Sequence, residues 1–319
     1  MTVTELDHVV VLAGGLSPER DVSLRSGRRV RDALEEAGVD ARLSDADAAL
    51  IPALLADRPS AVFPVIHGAY GEDGAIREIL DLVSVPYVGS VASACRGAFD
   101  KPTAKALVAA AGIATPDSVA LPREIFHDLG ATAVIDRILT RLGLPLFVKP
   151  ARGGSSLGAS PVRTAAELPT AIVSCFAYGD TALVERFIEG TEIAVSVVDL
   201  GDGPRALPAV EIVPSAGPYD YAARYTAGRT EFYAPARLDD AAADAAAKAA
   251  MQAHSALGLR DISRTDMILS DIGEVHFLEV NVSPGMTETS TLPMALDAAG
   301  HSFGAACLTL LQLAAERGH

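Results

Sequence analysis

The sequence of 319 residues contains no tryptophan, only three cysteines and only four lysines. Cys95, Cys175 and Cys307 form an odd-numbered set without metal-type spacing, and we interpret them as reduced thiols of a cytoplasmic protein. No apolar run approaches the roughly 18 residues that a membrane-spanning helix needs. The acidic N-terminal segment has no cationic stretch before its apolar residues, so we expect no secretory signal.

Basic residues are also few, 26 against 41 acidic residues, which gives a formal net charge of -15. Such a charge argues against binding through bulk positive charge, and we predict neither a nucleic-acid partner nor a membrane partner. Hydrophobic residues make up 50% of the chain, so we expect it to fold, as roughly two or three domains. Because arginine supplies most of the basic residues, each lysine is a candidate for a functional point charge. The lysines are Lys101, Lys105, Lys149 and Lys248.

The pattern of apolar residues predicts an α/β fold in three parts. In the first part, 1–98, extended and helical segments alternate, as in a βαβ unit with a parallel sheet. The second part, 99–190, is a smaller α+β region, and a single helix is predicted across its start, over 92–111. The third part, 191–319, has strands around an alanine-rich helix. Its predicted strands are 192–198, 206–212, 266–269 and 275–279, and its helix is 240–257.

Two common nucleotide-binding signatures are missing. Gly14 and Gly15 follow the first predicted strand, but their spacing is not G-x-G-x-x-G. The nearest acidic residue at the end of a second strand, Asp45, is too far along the chain for a dinucleotide site. No lysine follows a glycine anywhere, which excludes a Walker-type loop.

Phosphate-binding chemistry is nevertheless indicated by the segment 146–158. Lys149 ends a predicted strand, and glycines and serines follow it at 153–158. Backbone N–H groups and hydroxyls in such a loop can surround phosphate oxygens, and the lysine adds a positive charge. By itself the loop is equally typical of an ordinary glycine-rich surface loop.

A candidate metal site is indicated in the third part. Asp266 lies in one predicted strand, and Glu279 and Asn281 alternate along the next, so their side chains share a face. Two carboxylates and an amide oxygen are hard ligands of the kind that hold Mg²⁺ against nucleotide phosphates.

Over nearly its whole length the chain resembles the D-alanine–D-alanine ligases of the ATP-grasp superfamily. The resemblance lies in an ordered series of motifs: 14–24, 67–74, 86–90, Asp100–Lys101, the loop after Lys149, 219–221, Tyr225 and 281–287. It implies that the N-terminal βαβ domain is followed by a two-domain ATP-grasp fold. It also implies a cytoplasmic homodimer that supplies peptidoglycan precursor.

The resemblance further implies which residues bind ATP. Lys101 and Lys149 would contact its phosphates, and Ser155 and Ser156 would belong to the loop that closes over them. The other implied residues are Glu185, Phe187 and Ile188 at the adenine, Glu192 at the ribose, and Asp266, Glu279 and Asn281 at two Mg²⁺ ions, for which Mn²⁺ can substitute.

For the reaction, the resemblance implies that one D-alanine carboxylate attacks the γ-phosphate and that the amine of a second D-alanine displaces phosphate from the acyl phosphate. Arg264 and the Gly285 N–H would stabilise the oxyanion. The remaining implied residues are Glu19 at the first ammonium, Tyr225 and Ser155 in a hydrogen-bonded chain, His67 beside the first substrate, and Ser290 and Arg224 at the second carboxylate.

Three positions depart from the usual pattern of the family. Arg224 stands where a lysine is usual, Gly153 replaces a common glutamate, and 261–263 replaces a stretch that usually contains an aromatic residue. Two alternatives are a paralogous ligase that uses D-serine, D-lactate or a biosynthetic amino acid, and a catalytically silent nucleotide-binding protein. The intact Lys149 and metal ligands argue against the silent protein, and Tyr225 argues against D-lactate.

Overall fold

The computed structural model describes residues 6–215, 226 and 228–318, and these form three sheets. The first is parallel, with strand order β2-β1-β3. Its elements are β1 (Val9–Ala13), α1 (Arg20–Glu36), β2 (Ala41–Asp45), α2 (Leu50–Ala56), β3 (Ala61–Pro64), α3 (Ala69–Glu72) and α4 (Ala75–Leu82). All five residues of β1 are apolar and buried, as expected for a central parallel strand that is covered on both faces.

The last helix of the described chain completes the core of this first sheet. Helices α11 (Thr291–Ala298) and α12 (Phe303–Arg317) follow the third sheet in sequence. Leu310 and Leu311 of α12 nevertheless pack in one cluster with Val11 and Phe63 of the parallel sheet. One cluster thus contains residues from the first and the third predicted part of the chain. The predicted domain boundaries at 98 and 190 stay predictions.

The predicted single helix over 92–111 is wrong. The structure has two helices, α5 (Ala92–Phe99) and α6 (Lys101–Ala110), separated by Asp100 in an extended conformation. The Asp100 carboxylate accepts a hydrogen bond from the Thr103 backbone N–H at 3.0 Å, and Pro102 stands in the first turn of α6. Both residues favour a helix start over a helix interior. The break places Lys101 at the beginning of α6.

The second sheet is antiparallel, with order β4-β7-β5-β6. Its elements are β4 (Ser118–Pro122), α7 (Arg123–Asp128), α8 (Ala131–Leu142), β5 (Leu146–Pro150), β6 (Ser160–Val162), α9 (Leu168–Cys175) and β7 (Thr181–Arg186). Val148 and Val184 face the helices and pack in their core. Because side chains alternate along a strand, Lys149 and Glu185 point from the opposite face.

The third sheet is antiparallel, with order β11-β10-β8-β12-β13 and β9 beside β8. Its elements are β8 (Gly190–Asp199), β9 (Pro204–Ala206), β10 (Val210–Pro214), β11 (Thr230–Tyr233), α10 (Asp240–Ala256), β12 (Ile262–Ser270) and β13 (Val275–Asn281). Alanines of α10 pack closely against one face. The predicted strand 206–212 is wrong: it is divided between β9 and β10, with Pro208, which has no N–H to donate, between them.

The segment 261–263, which departs from the usual family pattern, contains a residue that connects distant segments of the chain. The Asp261 carboxylate accepts hydrogen bonds from the Gly89 backbone N–H at 2.7 Å and from both terminal nitrogens of Arg317, at 2.9 and 2.8 Å. Asp261 has a φ of 64°, a left-handed conformation that is unusual outside glycine. These charged contacts hold it there and tie the first sheet to β12 and α12.

Among the described residues, no single helix is both long and apolar enough to cross a membrane. The pair α11 and α12 passes that test of length and composition when taken together, with a bend of 104° between the two helices.

Candidate active site

Two adjoining cavities lie where the three sheets meet. The larger, of about 570 Å³, is lined by the open face of the second sheet and by the face of the third sheet opposite α10. The smaller, of about 280 Å³, is bounded on one side by residues of the first part of the chain, among them Glu19 and His67. Lys101, Asp266 and Glu279 line both cavities, so these side chains stand at the junction.

A buried ion network forms one wall of the larger cavity. Glu185 on β7 accepts from two lysines: Lys149 Nζ lies 2.6 Å from Oε1 and Lys105 Nζ lies 2.7 Å from Oε2. Burial alone would raise the pKa of Glu185, but the two positive charges lower it. Burial alone would lower the pKa of Lys149, but the charges of Glu185 and Glu279 raise it above its ordinary value. Lys149 therefore stays positively charged although it is buried.

The glycine-serine loop closes over the junction between the cavities. Lys101 Nζ donates to the Gly153 carbonyl oxygen at 2.7 Å and lies 3.1 Å from Glu279 Oε2. The Ser155 hydroxyl donates to the Glu19 carboxylate, which connects this loop to the start of α1. Ser155 and Ser156 have φ values of 52° and 56°. Such left-handed residues cost on the order of 1 kcal/mol or more each and are concentrated at ligand-binding sites.

Four polar side chains occupy one face of β12 and β13. The register pairs Asp266 with Glu279 and Arg264 with Asn281, and a bulge follows directly after the first pair. Arg264 donates to both carboxylate oxygens of Asp266, at 2.7 and 2.8 Å. Two carboxylates and an amide oxygen at this spacing supply only oxygen donors, which fits Mg²⁺.

The loop before α11 forms another wall of the smaller cavity. Ser290 Oγ accepts from the Thr287 backbone N–H at 3.1 Å and is 2.9 Å from Thr287 Oγ1. A Cβ at Gly285 would lie 2.6 Å from Ser290 Oγ, so any larger residue would have to displace this hydroxyl. Gly285 itself lines the smaller cavity.

His67 borders the smaller cavity, and both of its ring nitrogens have protein partners. Nδ1 lies 3.0 Å from the Ser283 carbonyl oxygen and Nε2 lies 3.1 Å from Ser26 Oγ. Burial lowers the pKa of His67 to about 4. The ring is therefore neutral at physiological pH.

Glu72 also lines the smaller cavity but was not among the predicted site residues. It is buried, and its carboxylate accepts from the Gly68 backbone N–H at 3.0 Å. Burial, together with the charge of Glu19, raises the pKa of Glu72 to about 8. Its position in the glycine-rich motif 67–74 is a sequence signal that could have identified it.

Every predicted site residue that the structure describes lines one cavity or both. The smaller is lined by Glu19, His67, Ser155, Arg264, Asn281, Gly285 and Ser290, the larger by Lys149, Ser156, Glu185, Phe187, Ile188 and Glu192, and both by Lys101, Asp266 and Glu279. Arg224 and Tyr225 lie outside the described residues.

Comparison with protein families gives two matches along the chain. A family model described as D-ala D-ala ligase C-terminus matches residues 107–312, and one described as D-ala D-ala ligase N-terminus matches residues 40–90. The chain belongs to the D-alanine–D-alanine ligase family. It is 40% identical to the D-alanine–D-alanine ligase of Anaeromyxobacter sp. strain K, with 97% of each chain covered. It is 39% identical to that of Bordetella avium, with 95% of this chain and 93% of the relative covered.

Solved structures of this ligase family have the same fold. The VanG D-Ala:D-Ser ligase from Enterococcus faecalis is 30% identical, with a TM-score of 0.83 over 97% of this chain and 99% of the other. The D-alanine–D-alanine ligase from Bacillus anthracis complexed with ATP is 28% identical, with a TM-score of 0.78 over 97% of both. The predicted fold, a parallel N-terminal sheet followed by an ATP-grasp fold, is confirmed, and the family is ATP-dependent.

Proposed function

We propose that this protein ligates two molecules of D-alanine to D-alanyl-D-alanine at the expense of ATP, as a step toward peptidoglycan precursor. The observation that carries the proposal is the pair of adjoining cavities with Lys101, Asp266 and Glu279 at their junction. One cavity is suited to a nucleotide and the other to small amino acids, and their shared residues lie where a phosphoryl group would pass from one to the other.

ATP occupies the larger cavity in this proposal. Lys149, kept positively charged by Glu185, faces the phosphates together with Lys101. The loop with Ser155 and Ser156 supplies hydroxyls and backbone N–H groups around them. Phe187 and Ile188 offer an apolar surface and backbone groups for the adenine, and Glu192, which also lines the larger cavity, accepts from the ribose hydroxyls.

The amino acids occupy the smaller cavity. Glu19 attracts the ammonium of the first D-alanine, whose carboxylate oxygen attacks the γ-phosphorus, so that the bond to the ADP oxygen breaks and an acyl phosphate forms. The amine of the second D-alanine then attacks the acyl carbon, loses a proton and expels inorganic phosphate. Arg264 and the Gly285 N–H face the oxyanion of that step, and Ser290 holds the second carboxylate.

Asp266, Glu279 and Asn281 are the residues that would hold Mg²⁺. When bound, the metal neutralises phosphate charge during phosphoryl transfer. The protein's own contribution is to keep these oxygens in place: Arg264 holds the Asp266 carboxylate, and Asn281 Oδ1 accepts from the Ser283 backbone N–H at 2.7 Å. Two ions, with Mn²⁺ as a substitute, remain our expectation for this site.

We further propose that the enzyme works in the cytoplasm as a homodimer, without a nucleic-acid or membrane partner. Support comes from the family, from the acidic composition and from the three cysteines, which are all free and buried. The second substrate is D-alanine rather than D-serine, because the relatives at about 40% identity are D-alanine–D-alanine ligases.

A phosphate-release assay tests the proposal. Purified protein, ATP and Mg²⁺ are incubated with D-alanine, D-serine and D-lactate, singly and in pairs, and products are identified by mass spectrometry. We expect D-alanyl-D-alanine from D-alanine alone and no faster turnover when D-serine or D-lactate is added. A preference for D-alanyl-D-serine would overturn the assignment of the second substrate, and absence of turnover with every pair would overturn the ligase.

A further inference from the structure

Ser26 connects the first part of the chain to the loop that carries Gly285. It lies on α1 and is completely buried. Its Oγ is 3.1 Å from His67 Nε2 and accepts from the Met286 backbone N–H at 3.2 Å. Neither the family comparison nor the sequence motifs assigned it a role in the site, and it does not line either cavity.

The directions of these hydrogen bonds follow from the partners. The Ser283 carbonyl oxygen can only accept, so His67 Nδ1 must carry the proton that points to it. The ring is neutral, so Nε2 has no proton and accepts from the Ser26 hydroxyl. The hydroxyl oxygen in turn accepts from Met286 N–H. Each donor and acceptor in this series of hydrogen bonds thus has one orientation.

Both ends of this hydrogen-bonded chain lie in one short segment, 283–286. Met286 N–H donates at one end, and the Ser283 carbonyl accepts at the other. Between them, Ser26 and His67 hold the segment from the side of the first sheet. Gly285, which lines the smaller cavity, lies inside the segment that is held.

We propose that Ser26 is a positioning residue: it donates to Nε2 of His67, whose Nδ1–H is held by the Ser283 carbonyl, and together Ser26 and His67 orient the backbone N–H of Gly285 toward the reacting acyl group. This inference rests on the proposed function, in which Gly285 stabilises the oxyanion. Displacement of such a donor by about 1 Å can lower a rate by about a hundredfold. His67, with both nitrogens occupied, serves here as part of this support and not as a proton donor to substrate.

The chain offers a matched control one turn earlier on the same helix. Ser23 is also completely buried, and its hydroxyl also takes part in two hydrogen bonds. It donates to the Val65 carbonyl oxygen at 2.7 Å and accepts from the Gly14 backbone N–H at 2.8 Å. Ser23→Ala therefore removes an equivalent hydroxyl without a direct contact to 283–286.

The first measurement is the state of His67 in the wild-type protein. Histidine is labelled with ¹⁵N, and His67 is identified by the signal that His67→Gln removes. We expect a neutral ring protonated at Nδ1 at pH 7, and in Ser26→Ala the same tautomer with a changed Nε2 shift, because the donor to Nε2 is gone. A wild-type ring protonated at Nε2, or on both nitrogens, would overturn the proposal without any activity assay.

The second measurement is steady-state kinetics. We expect Ser26→Ala to lower kcat by roughly 10- to 100-fold with little change in the KM for ATP, while Ser23→Ala keeps kcat within about threefold. An equal loss in both variants would show a general packing defect and overturn the role. An inactive wild-type protein would contradict the proposed function instead, and the tautomer measurement would still test the hydrogen-bonded chain.

Discussion

Buried titratable side chains keep their charge at the wall of the larger cavity, whereas two of them in the wall of the smaller cavity are neutral. In the larger, Lys149, Lys105 and Glu185 are paired at 2.6 and 2.7 Å, so that buried charges are kept. In the smaller, His67 is neutral because its pKa falls to about 4, and Glu72 is largely protonated at pH 7 because its pKa rises to about 8. The proposed ligands explain the difference. A polyanion requires permanent positive charge, whereas the zwitterionic substrates meet the charges of Glu19 and Arg264 in the smaller cavity, and the neutral His67 and Glu72 add none.

The largest effect on activity is expected for a variant that removes one of the permanent charges of the larger cavity. Lys149→Met removes the cation that faces the phosphates, and we expect kcat/KM for ATP to fall at least about a hundredfold. The thermal midpoint should also fall, since breaking a buried ion pair costs about 3–5 kcal/mol. The control is Lys248→Met on the exposed side of α10, which should leave both quantities unchanged. Wild-type kinetics in Lys149→Met would remove this lysine from the phosphate site.

The second prediction tests the junction of the cavities. Glu279→Gln keeps the shape of the side chain but removes the charge that lies beside Lys101 and in the candidate metal site. We expect kcat to fall by roughly a hundredfold and the Mg²⁺ concentration for half-maximal rate to rise. The enzyme should also stop with EDTA and recover with added Mg²⁺. The neighbouring Glu274→Gln, at the exposed turn between β12 and β13, should behave as wild type in the same titration.

The smallest effect on rate is expected for Glu72→Gln, because the amide resembles the protonated carboxyl that is already present at pH 7. We expect kcat within about tenfold of wild type. The larger change is in stability: between pH 4.5 and 8 the folded protein binds the Glu72 proton and the unfolded chain does not, so stability falls as pH rises through that range. Thermal midpoints from pH 5 to 9 should therefore decline less in the variant. A parallel decline in both proteins would show that Glu72 is ionised in the folded state.

The sequence was most informative where chemistry and spacing coincide. Lys149 at a strand end before a glycine-serine loop, and Glu279 and Asn281 alternating along one strand, led to their prediction as site residues, and all three line the two adjoining cavities. Strand alternation is a local property, so it could be read without the fold. The motifs of the family supplied the partners on the first part of the chain, such as Glu19, whose proximity no local pattern contains.

The helix prediction over 92–111 was wrong because one residue outweighs the helix propensity of its neighbours. The alanine-rich run 92–111 favours a helix throughout, but Asp100 caps a new helix and ends the old one. Ser26 and Glu72 were missed for another reason. A serine inside an amphipathic helix and a glutamate in a glycine-rich turn are ordinary surface residues by composition, and their importance comes from burial against segments far away in the sequence.

The packing of α12 into the first sheet has a consequence for biosynthesis. Val11 and Phe63 are synthesised long before Leu310 and Leu311, which pack against them. The part of this face of the nascent parallel sheet that α1 does not cover therefore stays apolar and exposed until α12 has been made, a condition that favours aggregation and chaperone binding. Although α12 carries none of the predicted site residues, a premature stop before Phe303 leaves this part of the face permanently uncovered.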